Sequence, residues 1–470
     1  MFRKKTPDPA PSLWIATSEL PTTPATSFYQ KLEGVLAERQ FGDRVRQLCA
    51  PFYDLEARQG GRPGIDPEVY FKMLMVGFFE NLASERAIAA RCADSLSIRA
   101  FLHYELTEQT PDHSSFTVIR QRLALNVYDQ VFGLIVAALH EKHLLRGKHL
   151  AIDTSVLEAN ASLRSLEHRF TGEKYRQYVK RLAKAAGVDP TDPRAVSAFD
   201  RKRKGRTTSN KEWHNPHDPD AKVGLDKKGA TRMLYKPEHV VDLETGAVVD
   251  VELKLGDEAD AKELAERVRA AEEGMNEALD EPRGMARVET VVGDMGYCDL
   301  EALVTLQAVG IRTAIPDPVS NRHVDKLPDD HRRALRTAHQ TVQSRSGRWL
   351  MRHRGEFCER SFVHVLDYGG ARRTTLRGRE NILKRYLVQA ACLNLSILLR
   401  ETRGIGTLKQ SWAASIAALT AVARFIGALF RPVIQSAATH HLTTRFWTHI
   451  SVSNTARITP AVFPHRSTVC

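Results

Sequence analysis

The stretch LAIDTSVLEAN, residues 150–160, decides how the chain is read. Leu150, Ala151 and Ile152 make a short apolar run of the kind that forms a buried strand. It ends in Asp153-Thr154-Ser155, which puts a carboxylate at the edge of a sheet, where α/β proteins hold their ligands. Toward the C-terminus, Tyr235 to Val241 and Val248 to Leu253 read as two more strands. The link Asp242-Leu243-Glu244-Thr245-Gly246 carries the glycine that a hairpin connection favours. Asp260 to Met275 then places Ala261, Leu264, Ala265, Val268 and Ala271 on one helical stripe. A further strand, Glu289 to Gly293, ends in a second aspartate, Asp294. The helix after Asp299 stops at Gly310, ahead of a strand over Arg312 to Ile315. Strands interleaved with helices in this order predict an α/β mixed sheet with flanking helices.

Upstream, Phe28 to Leu145 is helical in pattern. Asp66-Pro67 is a helix start, a cap oxygen followed by a residue whose missing N–H costs nothing there, and Val69 to Phe79 follows as an apolar run. A helix fits Ser84 to Ala93, and Asp94-Ser95-Leu96-Ser97 interrupts before Ile98 to Leu102. That outline belongs to a helix-turn-helix and equally to any helical bundle, and the bundle is the plainer reading. Pro111-Asp112-His113-Ser114-Ser115 opens another helix, and Val131, Phe132, Ile135, Val136 and Leu139 give the next its apolar face. The expected organisation is an arm over 1–27, a helical domain over 28–146 and an α/β domain over 147–400 with a polar basic insertion at 163–234. A helical extension with a loosely ordered tail follows over 401–470.

At 470 residues and 42% apolar content the chain can fill two or three cores, which excludes a disordered or fibrous protein. Six widely spaced cysteines without a C-x-x-C pair argue against a disulfide scaffold or zinc ribbon. Arg3, Lys4 and Lys5 precede Pro7, Pro9 and Pro11 with no apolar core of signal-peptide length, so the expected location is cytoplasmic, in association with the nucleoid. Ala413 to Ile434 is apolar but broken by Arg424, Arg431 and Pro432, and reads as a buried or amphipathic helix before a membrane span.

The net charge is +12, and it is concentrated. Arg201 to Lys236 holds eleven basic residues against four acidic ones, and Arg345 to Arg385 has the same balance, so the remainder of the chain nets −2. Two focused basic segments suit a phosphate-bearing partner.

A third carboxylate completes the chemistry. Phe362, Val363 and Leu366 lie three, four and seven residues after Glu359, so a helix laid on the sheet by them carries Glu359 near its inner side. Glu356 shares that side, and periodicity does not choose between the two. Two aspartates and a glutamate can hold two divalent ions roughly 3.5–4 Å apart, with oxygen ligands suited to magnesium or manganese. WHNPHDPD, with His214, His217, Asp218 and Asp220, has metal-ligating types but no element to fix them. Trp213 and Trp349, within the basic segments, could stack on a base or pack in a core. No phosphate loop of the G-x-x-x-x-G-K-[ST] type is present, so no nucleotide is expected.

Four segments carry a resemblance: AIDTSVLEAN around Asp153, YKPEHVVDLETGAVVDVEL, VVGDMGYCD around Asp294, and RHRGEFCERSFVHVLDYGGARRTTLRGRENILKRYL around Glu359. Together with GRPGIDPEVYFKMLMVGFFEN they resemble bacterial insertion-sequence transposases of the DDE type, in the expected order over about residues 60–400. The resemblance implies an RNase H-like core with Asp153, Asp294 and Glu359 as the catalytic, metal-binding triad. It also implies cutting at terminal inverted repeats, joining of the freed 3′-hydroxyl to target double-stranded DNA, and a homo-oligomer in the DNA complex. A related branch has Tyr, Arg and Lys at fixed distances from the glutamate, where this chain has Arg352, Gly355 and Leu366. Arg354, Arg360 and Lys384 are the nearby basic residues that would stand in for them. Arg372, Arg373, Arg201, Lys202, Arg203 and Lys204 are the further expected DNA contacts. The rival readings are an RNase H-like nuclease that cuts without joining, and an inactive DNA-binding protein derived from a transposase.

Overall fold

In the computed structural model, residues 23–57, 64–204, 209–277, 287–317, 326–418, 420–422 and 424 are described. At its centre is β1 (His149–Thr154), buried at Leu150, Ala151 and Ile152. One edge of β1 pairs antiparallel with β6 (Thr231–Asp242), and the other pairs parallel with β8 (Thr290–Val292). β6 also takes β7 (Val248–Leu255) antiparallel, and β8 takes β9 (Arg312–Ala314) parallel. The principal order β7-β6-β1-β8-β9 is that of an RNase H-like mixed sheet. Its parallel pairs need crossovers, which α10 (Leu264–Glu277) and α11 (Leu300–Ala308) supply. A short strand, β2 (Leu157–Glu158), follows β1 along the same edge of β6, while β5 (Lys222–Leu225) pairs with the start of β6.

The predicted insertion is more ordered than a polar loop. It holds α8 (Tyr175–Ala185), α9 (Pro193–Lys202) and the small pair β3 (Glu167–His168) with β4 (Trp213–His214). Trp213 is buried, ringed edge-on by His168, Tyr175 and Tyr178, so it forms a local core instead of a base-stacking platform. β5 and the first residues of β6, which also fall within 163–234, belong to the main sheet.

Among the described residues seven helices precede the sheet: α1 (Pro24–Ala37), α2 (Phe41–Ala57), α3 (Pro67–Phe79), α4 (Glu85–Asp94), α5 (Leu96–Phe101), α6 (His113–Arg122) and α7 (Leu125–Glu141). The Asp66 carboxylate caps α3 and Pro67 begins it, as the sequence predicts. Ser95 alone separates α4 from α5 and caps the latter. The expected arm is shorter than 1–27: Thr23 caps α1 and Pro24 opens it, because a threonine followed by proline is a start signal of its own. Residues 1–22 lie outside the described ones.

After β9 come α12 (Asp329–Gln343), α13 (Arg345–Phe362), a π-helical continuation over Val363–Tyr368, and α14 (Arg379–Arg403). α14 is buried from Ile382 to Leu399 except at half-buried Arg385, and packs on α7, α3 and β7. Its Asn394 side chain accepts from Val248 N at 2.9 Å and donates to Val248 O at 2.7 Å, completing the free edge of β7. Helical and sheet regions therefore share one contiguous core. The run Arg379–Val422 is long and apolar enough to cross a membrane, but 94% of its apolar window is buried within the protein, as for a core helix. Most of the predicted helix Ala413 to Ile434, and all of the tail after it, lies outside the described residues.

Candidate active site

β1 and β8 run parallel with Ala151 opposite Val292, so Asp153 and Asp294 each fall two residues beyond a paired position. Chain direction and register thus bring the two aspartates to the same end of neighbouring strands. Asp153 Oδ1 accepts from its neighbour Thr154 N at 2.9 Å. Asp294 Oδ1 accepts from Gly296 N at 2.9 Å, capping the single turn Met295–Tyr297. Gly296 is needed there: a Cβ on it would lie 3.0 Å from that oxygen and 3.6 Å from Asp260 Oδ2. Burial pushes the Asp153 carboxyl up to about 6; Arg354 opposes the shift and the nearby Asp294 charge adds to it.

α13 lies across these strands. Arg354 Nη1 is 3.2 Å from Asp153 Oδ2, with both side chains mostly buried. One helical turn further, Cys358 is fully buried, and its thiol is pushed up by burial first and then by Asp153, Asp294 and Glu359. Cys358 is the common neighbour of the three expected ligands. Glu359 follows it on the helix, turned by roughly 100°, and is exposed, with no ion pair among the described residues. Glu356 is spent on Arg360. Among the described residues no three acidic, histidine or cysteine side chains gather closely enough to form a ready metal site. The structure therefore brings Asp153 and Asp294 together and leaves Glu359 beside them, facing solvent.

What fixes α13 is a residue the sequence reading passed over. His239 on β6 is opposite Asp153 in the sheet register and fully buried. Its ring stacks on Phe362 at 4.2 Å, its Nδ1 lies 2.8 Å from Ser361 Oγ, and its Nε2 lies 2.8 Å from Tyr386 OH. Ser361 Oγ donates to Cys358 O, so His239 Nδ1–H donates to Ser361 and Nε2 accepts from Tyr386. Burial pulls the imidazole down to about 3, which keeps that neutral form at ordinary pH. Beside it, fully buried Glu238 takes Lys254 Nζ at 2.6 Å and Tyr297 OH at 2.8 Å. Asp260, near Asp294, is held by Lys236 Nζ at 2.9 Å. Only the alternation of YKPEHVVD hinted at His239 and Glu238, and it marked a strand without saying which side chains carried chemistry.

The expected DNA contacts divide by exposure. Arg201, Lys202, Lys204, Arg360 and Arg373 are exposed, and Arg372 pairs with Asp367 through two contacts of 2.8 Å. Lys384 is a correction: it is buried, with its ammonium held by Arg120 O at 3.1 Å and Glu380 at 2.7 Å, so no phosphate reaches it. Arg203 is likewise drawn inward, bonding Asp200 at 2.8 Å and facing the Tyr178 ring. In the WHNPHDPD loop, Asp218 is buried and accepts from Tyr235 OH at 2.6 Å and Gly378 N at 3.2 Å, which makes it a tie between segments. Trp349 is exposed and stacks on His353.

The strand order and the two aligned aspartates define the class: an RNase H-like domain with acidic residues at adjacent strand ends. Residues 20–122 match the family model of a transposase domain (DUF772), and residues 188–395 match that of the transposase DDE domain. The chain belongs to the DDE-type insertion-sequence transposases, a DNA-binding family whose active sites depend on divalent metal. The second match takes in Asp294 and Glu359 and begins after Asp153. No curated protein matches the chain.

Proposed function

We propose that the protein cuts DNA at the ends of an insertion sequence and joins the freed 3′-hydroxyl to target DNA, with Asp153, Asp294 and Glu359 as its catalytic carboxylates. The observation that carries this reading is the placement of Asp153 and Asp294 at equivalent points of neighbouring parallel strands, in a chain of this family. The donor set fits magnesium or manganese: hard oxygens, with one buried carboxylate whose charge burial disfavours and a cation relieves. Asp153 and Asp294 would hold the ions, with Glu359 as third carboxylate. When bound, two such ions activate the attacking oxygen and stabilise the leaving oxygen of a phosphodiester.

The chain's own residues supply the rest. Arg354, at the same hollow, brings a guanidinium to the charge of the reacting phosphate. His239 holds α13, and through it Arg354 and Glu359, against the sheet. Exposed Arg201, Lys202, Lys204, Arg360 and Arg373 would position DNA backbones. Exchange of one phosphodiester for another needs no nucleotide. Work on two element ends goes with a homo-oligomer on the nucleoid, in the cytoplasm.

The test is to incubate the protein with intact and pre-cleaved DNA ends from its own element and a target plasmid, with magnesium or manganese. Asp153→Asn and Glu359→Gln run alongside. Joined product that disappears in both variants supports the reading. Cleavage without joining favours a nuclease, and joining that persists in Asp153→Asn defeats the assignment.

A further inference from the structure

The two basic segments of the sequence meet. Arg232, from the first, and Arg373 and Arg377, from the second, line one groove of about 420 Å³ together with Arg164 and His217. β2 forms its floor. Glu158 N donates to Arg372 O at 3.0 Å, and Thr374 N donates to Glu158 O at 3.0 Å, so the 372–374 strap is laid onto β2 as an extra strand edge. Asn160 Nδ2 donates to Thr375 O at 2.8 Å and fixes the strap further along. Four guanidinium groups face a lining with a single carboxylate, Glu158, which lies 3.5 Å from Arg232 Nη1 and 3.7 Å from Arg373 Nε. Arg164, Arg232, Arg373 and Arg377 are all exposed, and Asp226 outside the groove steadies Arg232 at 3.2 Å.

We propose that this groove binds the phosphodiester backbone of duplex DNA next to the bond being cut. The inference rests on the reading of the chain as a DNA-cutting enzyme and adds the track its substrate follows. Charge identifies the partner: an excess of three guanidiniums in an open groove far larger than one phosphate suits a row of phosphates. Position identifies the segment. Glu158 lies five residues after Asp153 on the same edge of β6, no more than about 18 Å away at full extension. Phosphates in one strand advance about 3.4 Å per nucleotide along a duplex, so the groove meets those within roughly five nucleotides of the reacting bond. Arg232 and Arg373 share Glu158 in the free protein, and a phosphate would replace that carboxylate as their partner.

The experiment is fluorescence anisotropy of the full chain with a 30-base-pair duplex of arbitrary sequence, without metal, over a series of salt concentrations. Arg373→Ala/Arg377→Ala should weaken binding roughly tenfold at 0.15 M salt and flatten the plot of log affinity against log salt by about two, one per lost phosphate contact. Arg333→Ala/Arg336→Ala, exposed on α12, is the control of equal charge. Both pairs are surface residues, and unchanged thermal unfolding confirms that the fold is intact. An unaltered slope, the same loss in the control, or stronger competition by duplex RNA than by duplex DNA overturns the proposal. Because binding is read without metal, these outcomes are independent of strand joining. Joining that survives Asp153→Asn would defeat the catalytic reading even with the groove upheld.

Discussion

Arg354 reaches from α13 to place its Nη1 3.2 Å from Asp153 Oδ2, so the central carboxylate of the sheet already holds a cation. That contact is an ion pair: among the described residues neither Nε nor Nη1 of this guanidinium has a hydrogen-bond partner, though both are buried. Removing it leaves Asp153 and Asp294 uncompensated. Arg354→Ala should therefore bind manganese more tightly, by about tenfold, equivalent to about 1.4 kcal/mol. Calorimetric titration of wild type and variant checks this, and weaker binding in the variant would show that Arg354 supports the ion instead of competing with it.

His239 gives the fold a sensitivity to acid. Its imidazole titrates near 3 when folded and near 6.5 in an unfolded chain. Below pH 6.5 the unfolded state takes up a proton that the folded state refuses, so stability falls as pH drops from 6.5 toward 3. This group's contribution to the slope is at most about 1.4 kcal/mol per pH unit. Above pH 6.5 it has no pH dependence. His239→Gln should lower stability at pH 7 and flatten the acid limb, as read by urea unfolding at pH 7 and pH 5.

Lys254 and Glu238 form a buried pair, and the Lys254 ammonium also donates to the carbonyl oxygens of Asp260 and Lys262. Lys254→Ala leaves the buried Glu238 carboxylate with only the more distant Arg267, at 3.8 Å, as a cation and should cost about 3 kcal/mol in denaturant unfolding. Lys254→Met combined with Glu238→Gln should recover much of that loss, since no unpaired charge remains.

Lys384→Met separates packing from DNA contact. Because its ammonium lies inside the protein, the variant should lose stability by about 1–3 kcal/mol for the carbonyl and carboxylate left behind. DNA affinity per folded molecule should stay within twofold of wild type. A change in the salt dependence of binding would contradict this placement.

Asp153 and Asp294 were legible in the sequence because strands buried on both faces are short unbroken apolar runs, and each run ends at its aspartate. That the sheet is mixed and flanked by helices followed from where helices interrupt the strands, whereas its RNase H-like character came with the family resemblance. Lys384 was misleading: charge suggests exposure, yet Ile382, Leu383, Tyr386 and Leu387 beside it mark a buried apolar face, and the packing that covers this face also covers Lys384. The Arg354–Asp153 pair and the bonds of His239 join residues far apart in the chain, and no local pattern encodes such distances. The same holds for the basic groove, since composition located two charged segments but not their meeting. Glu359 stays in part a matter of family, because periodicity places both it and Glu356 on the helix side toward the sheet and does not choose between them.

α14 also sets an order of events during synthesis. α3 and α7 leave the ribosome early, but the surface that covers them is not complete until Arg403, some 260 residues after the end of α7. At about 5–20 residues per second the early helices wait roughly 13–50 seconds with apolar faces unsealed. Newly made chains thus pass through an interval open to chaperones and proteases, and a message cut short before α14 leaves the faces of α3 and α7 that it covers open to solvent.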